Sequence, residues 1–164
     1  MPTPEEYVVI EQTTDPADFA TCAAIMSRTD PWITLGMGAE DCSKAFQGLY
    51  REVFVLRRGD EIAGFFIIQP QGSFKGYVQT IAVAEGYRGK GYGTRILKFC
   101  EDRILKYSPN IFICVSSFNP GALNLYTRFG FKKVGELKDF IKIGFTEILL
   151  RKTVGPAFDY KGSD

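Results

Sequence analysis

The sequence predicts an α+β fold, a mixed sheet with flanking helices, and three observations lead there. The chain has 164 residues, 45% hydrophobic, 14% aromatic and 24% charged, the size and balance of one domain with a real core. Short apolar or β-rich runs recur along it, separated by Gly, Pro and Asp, as strands are by turns. Between them lie segments with apolar residues at helical spacing and helix-capping residues at their ends.

The first strand is expected at residues 7–10, Y-V-V-I. Asp15-Pro16 then caps and opens a helix carrying Phe19, Ala23, Ile25 and Met26, which should fade near Thr29-Asp30-Pro31. Residues 32–38 read as an apolar loop, and residues 39–49 as a second helix with Ala45, Phe46 and Leu49 on one side. Residues 53–56 and 62–68 are strand-like and close enough for a hairpin. Tyr77–Val83 is another β-rich run. A helix follows with Gly93, Ile96, Leu97, Cys100 and Ile104 inward and Lys98, Glu101 and Asp102 outward. Residues 111–115 form a short strand. Asn119-Pro120 starts a compact helix that Gly130 terminates, with asparagine at N-cap, proline at N1 and glycine past the end. Residues 131–137 and 146–151 are the last strands. One domain is expected over residues 1–154, with a loose tail at 155–164.

Composition narrows the function. Twenty basic and nineteen acidic residues give a net charge of +1, so no global field draws nucleic acid or an anionic membrane. The N-terminal M-P-T-P-E-E-Y lacks a basic and then apolar leader pattern, and no apolar run approaches a membrane span; the expected location is the cytoplasm. Cys22, Cys42, Cys100 and Cys114 form no C-x-x-C pair and read as buried thiols, with no metal site expected. The absence of histidine removes the commonest general base and histidine-dependent triads.

Residues 87–93, Y-R-G-K-G-Y-G, stand between an apolar strand and an amphipathic helix. A helix N-terminus presents unpaired backbone N–H groups and the positive end of the macrodipole. Glycines let a ligand approach that backbone, and Arg88 and Lys90 add cations beside it. The stretch suits a phosphate or pyrophosphate better than it suits a plain connecting turn. It is not a Walker loop, because Gly91 follows Lys90 where Ser or Thr is needed. Nor is it a dinucleotide fingerprint, because the spacing is G-x-G-x-G and several strands precede it.

Arg88-Gly89-Lys90-Gly91-Tyr92-Gly93 matches R/Q-x-x-G-x-G/A, and the chain resembles the GNAT superfamily of N-acetyltransferases. The likeness takes in I-A-V at 81–83, the following helix, S-F-N-P-G-A-L-N-L-Y-T-R-F-G-F at 117–131 and the closing strands. It implies a mostly antiparallel central sheet in which Tyr77–Val83 and residues 111–115 run parallel and splay apart to admit acetyl-CoA. By the family pattern, backbone groups of Ile81, Ala82 and Val83 pair with the pantetheine arm, and Arg88, Gly89, Lys90, Gly91, Tyr92, Gly93 and Thr94 hold the pyrophosphate. Asn119 resembles a family asparagine on the cofactor arm, besides reading as a helix N-cap. Tyr126 stands where many members keep a tyrosine that protonates the departing thiolate, although its spacing with Ala122, Leu125 and Phe129 also suits packing.

The resemblance leaves the base open. Ribosomal-protein alanine N-acetyltransferases, faintly similar at Pro31-Trp32, carry a glutamate where this chain has Cys114. Gln79 stands near another family glutamate position and cannot act as a base. Glu40, Asp41, Glu85 and Glu147 read as ordinary solvated carboxylates, and a water relay remains an alternative. Trp32, Ile33, Leu35, Phe140, Ile141 and Phe145 are candidate apolar walls for an amine acceptor, a small molecule or a peptide. A homodimer is compatible with the sequence. The leading expectation is an acetyl-CoA-dependent N-acetyltransferase using direct attack; an inactive acyl-CoA sensor and a plain interaction domain are the alternatives.

Overall fold

The structure is a computed structural model that describes residue 1 and residues 7–164. Its elements are β1 (Val8–Gln12), α1 (Pro16–Ser27), α2 (Ala39–Ser43), β2 (Glu52–Arg58), β3 (Glu61–Gln69), β4 (Tyr77–Val83), α3 (Tyr92–Ile104), β5 (Asn110–Ser116), α4 (Pro120–Phe129), β6 (Lys132–Lys138) and β7 (Thr146–Thr153). The seven strands form one mixed sheet in the order β1-β2-β3-β4-β5-β7-β6, the α+β class the sequence predicts. β1 lies antiparallel to β2 and β7 antiparallel to both β5 and β6. The parallel ladder of β4 and β5 registers Tyr77 with Phe112 and Val78 with Ile113.

By contact density the chain divides into two compact units, Met1–Ile67 with Thr80–Ile96, and Ile68–Gln79 with Leu97–Asp164. In the first, Cys22, Ala23 and Met26 of α1, Cys42 and Phe46 pack on Val53, Val55, Phe65, Ile67 and Ala82. Phe46 stacks on Phe19 and meets Phe65 at a tilt, with centroids 5.4 and 5.5 Å away. Asp15 caps α1 by accepting from the Ala17 N–H at 2.9 Å. Asp18 accepts from the Thr13 hydroxyl at 2.6 Å and from Arg57 at 2.8 Å; the Thr13 bond first, and then Arg57, hold its carboxyl below the usual range.

The second expected helix is shorter than residues 39–49. α2 ends at Ser43, a 3₁₀ turn covers Lys44–Phe46, and Gly48 and Tyr50 take positive φ angles of 101° and 64°. Arg51 closes the end by donating to the Ala45 carbonyl at 2.7 Å.

In the second unit, α4 keeps the caps its sequence promises. The Asn119 side chain accepts from Ala122 N–H at 3.3 Å, and Gly130 turns left-handed at φ 119°. Beneath α3 and α4, Lys152 pairs with Glu101 and lies 4.3 Å from the Phe129 ring centroid. Residues 155–164 carry no helix or strand, yet the Tyr160 hydroxyl and the Ser163 N–H both donate to the Leu105 carbonyl.

Gly76 sets the entry to β4. Its N–H donates to Gln69 and its carbonyl accepts from Phe112. At φ 82° an added Cβ would stand 2.5 Å from the Ile104 side chain and 2.6 Å from the Asn110 carbonyl. Gly76→Ala is expected to lower stability by about 2–4 kcal/mol through strain and overpacking together. A chemical-denaturation midpoint equal to the wild type's would contradict that packing.

Candidate active site

The glycine turn follows from local rules. β4 delivers the chain to a 3₁₀ turn at Glu85–Tyr87, after which Gly89 and Gly91 adopt φ of 74° and 79°. Side chains rarely adopt that region, and an added Cβ at either position would meet nothing within 4 Å. The backbone here faces open space. α3 begins at Tyr92, and its first intrahelical bond runs from the Arg95 N–H to the Gly91 carbonyl at 3.1 Å. The earlier N–H groups of the first turn have no partner within a helix. This arrangement fits the pyrophosphate of a cofactor, which needs convergent N–H donors and room to reach them.

The neighbouring residues occupy defined places in the same unit. Arg88 is folded back, donating to the Val83 carbonyl at 3.3 Å and meeting the Thr29 hydroxyl at 3.4 Å, whereas the sequence suggested a free cation. Lys90 and Thr94 are exposed. Tyr92 lies 6.5 Å from Tyr87, centroid to centroid. In β4, Ala82 is buried while Ile81 and Val83 are partly open. Arg95 donates to the Val8 carbonyl at 2.9 Å and ties α3 to the first strand.

Tyr126 lies in the second unit, on α4. It is 7% exposed and packs edge-on to Phe131 at 6.1 Å. Burial, with Cys100 nearby, pushes its phenol well above the usual value and keeps it protonated. Asn119 spends its side-chain oxygen on the α4 cap. Of the apolar wall candidates, Leu35 is buried, Trp32 packs on the first unit's core, and Phe145 meets Phe118 at 5.5 Å. Ile33, Phe140 and Ile141 are exposed.

A second polar cluster, on β4, β5 and β7 of the second unit, joins Cys114 and Glu147, read from sequence as a buried thiol and a solvated carboxylate, to Ser116 and the Tyr77 side chain, which the sequence did not single out. Antiparallel pairing sets Ser116 opposite Glu147 and Cys114 opposite Leu149, so the odd-even alternation puts Cys114, Ser116 and Glu147 on one face. Tyr77 enters that face and donates its hydroxyl to the Cys114 sulfur, and the Glu147 charge acts on both. The Ser116 hydroxyl donates to Glu147 Oε1 at 2.8 Å. Oε2 is buried without a hydrogen-bond partner.

Glu40, Asp41 and Glu85 are exposed, as solvated carboxylates should be. Glu147 is not: it is 4% exposed and the single buried carboxylate among the described residues. Burial raises its pKa above the ordinary 4.5, against a smaller lowering by Ser116. Gln79 is engaged through its amide oxygen by Gln69 at 2.7 Å. Strand period alone would have placed Cys114 and Ser116 together, but the register that brings Glu147 to them spans 31 residues of sequence.

Among the described residues no group of three or more Cys, Asp or Glu side chains is placed to hold a metal ion, and no helix is long and apolar enough to cross a membrane.

A glycine turn feeding a helix from a strand of a mixed sheet suits a phosphate-bearing ligand. The family model described as the acetyltransferase (GNAT) family matches residues 15–131, and the chain belongs to that family. An uncharacterised protein of Mycobacterium leprae is 29% identical over 140 residues, 81% of this chain and 37% of that protein, so the chain spans well under half of that relative's length. The Escherichia coli ribosomal-protein-S18-alanine N-acetyltransferase is similar in fold, with a TM-score of 0.74 at 19% identity, covering 93% of this chain and 97% of its own. An aminoglycoside 6'-N-acetyltransferase complexed with coenzyme A gives 0.70 at 16% identity over 90% and 98% of the two chains.

Because the folded-state pKa of Glu147 is raised, its contribution to stability is fully present below the ordinary carboxylate value and is lost as pH rises through the raised one. Glu147→Gln, which mimics the neutral form, should therefore raise Tm at neutral pH, with the gain shrinking as pH falls through the raised value and gone by the ordinary 4.5. Calorimetry across that range checks it; a Tm gain independent of pH would point away from a buried carboxylate.

Proposed function

We propose that the protein is an N-acetyltransferase that uses acetyl-CoA and acetylates a primary amine of a small molecule or peptide by direct attack. Family membership supports the class, and the observation that carries the ligand is the left-handed Gly89–Gly91 turn opening onto α3. Acetyl-CoA, when bound, supplies an acyl group activated as a thioester. The N–H groups of residues 89–94 bind its pyrophosphate, with Arg88 beside them, its own N–H held by the Glu85 carbonyl, and the backbone of Ile81, Ala82 and Val83 orients its arm. Such fixed dipoles act without reorganising during the reaction.

In this reading Tyr126 holds the proton for the departing sulfur. Its burial favours the neutral phenol, which carries the proton but gives it up less readily than a solvated one. Asn119 serves the cap and, through it, the start of the helix that carries Tyr126.

Two measurements test the assignment. Acetyl-CoA at a hundred times its Kd should stabilise the protein by about 2.7 kcal/mol, seen as a rise in Tm, and Gly91→Ala should abolish most of that rise. No shift at millimolar acetyl-CoA would remove the cofactor reading. Tyr126→Phe should lower kcat by about 10-fold or more with cofactor binding retained. Unchanged turnover in that variant would take the acid role away from Tyr126, and binding without thiol release on any amine would favour a sensor.

A further inference from the structure

We infer that Glu147, steadied by Ser116, receives the acceptor as a cationic alkylammonium and takes its proton; this rests on the acetyltransferase reading above. The buried carboxylate offers one oxygen already committed to the Ser116 hydroxyl and a second, Oε2, with no partner. A buried charged oxygen without a donor is costly, and the natural complement is a group bringing both positive charge and N–H bonds. A primary ammonium brings both in a compact head.

The surroundings favour that ligand and fit the chemistry. From β4 the Tyr77 hydroxyl faces the cluster, from β5 the Cys114 thiol and the Ser116 hydroxyl, and from β6 Leu137 stands opposite Glu147 in register. None of these four carries a positive charge to compete for the carboxylate. Burial disfavours the ionised form, so the carboxylate is a stronger base than a solvated one. An aliphatic ammonium must lose a proton before its nitrogen can attack.

The step balances without any further reagent. The ammonium gives one proton to Oε2, and its nitrogen lone pair forms the new C–N bond as the C–S bond breaks. The second proton lost from nitrogen replaces the one delivered to sulfur, and Glu147 returns its proton to water. A free thiol, an amide and one released proton result.

The test uses the full chain in two ways. With acetyl-CoA and n-butylamine, Glu147→Gln should lower kcat/KM by about 10²-fold or more and remove the ascending limb of its pH profile. Ser116→Ala should move that limb to higher pH, because the serine bond favours the carboxylate. Acetyl-CoA binding should stay at the wild-type level in both. Independently of turnover, the Glu147 carboxyl carbon, assigned by its loss in Glu147→Gln, is titrated by NMR in CoA-loaded protein. Adding n-butylammonium chloride should shift its midpoint to lower pH, since a nearby cation favours the charged form. A midpoint that ignores the amine overturns the proposal, as does a Glu147→Gln variant with wild-type kcat/KM and pH profile. If no amine releases thiol yet the midpoint responds, the ammonium site stands and the transferase reading falls.

Discussion

A helix leaves its first N–H groups without partners of its own, here at the end of a left-handed glycine turn, and the rest of this structure makes sense around that constraint. Gly89 and Gly91 accept φ angles of 74° and 79° with nothing crowding the side where a Cβ would stand. The core of the first unit then fixes where those donors sit. Gly64 allows the tight approach at β4, where a Cβ would come 2.9 Å from the Ala82 carbonyl. Arg88 bonds back to Val83, and Arg95 bonds to Val8. Flexible residues are thus held in a stiff frame, and stiffness is what turns loose dipoles into a binding surface.

The second unit shows the opposite economy. It holds the Asn119 cap and the Lys152 and Glu101 pair, and beside them a buried carboxylate with one vacant oxygen. A fold selected for stability alone would place an apolar residue at 147. Keeping an acid there sacrifices stability at neutral pH, a trade commonly met where a group has work to do.

The local half of this architecture was legible in the sequence. Asn119-Pro120 and Gly130 announced α4, the spacing of Ile96, Leu97, Cys100 and Ile104 announced α3, and Gly89 and Gly91 announced the turn that leads into it. What escaped depended on tertiary context. α2 gives way to a 3₁₀ turn at Lys44–Phe46 whose end Arg51 closes through the Ala45 carbonyl, and an arginine does not signal that role. Arg88 looked like a free cation until its partners were known. Glu147 looked like a surface carboxylate because the strand register that buries it beside Ser116 is set by pairing between distant segments, which periodicity does not encode.

The strand order has a consequence for how the chain is made. β7 is the last strand in sequence, yet it lies inside the sheet with β5 on one side and β6 on the other. During synthesis, β5 and β6 emerge first and have no neighbour to join them. The second unit cannot close until residues 146–153 have left the ribosome, and until then β5 exposes an apolar, unprotected edge of the kind that nucleates aggregation. A chain trimmed to the limits of its family match at residue 131 would carry that edge permanently.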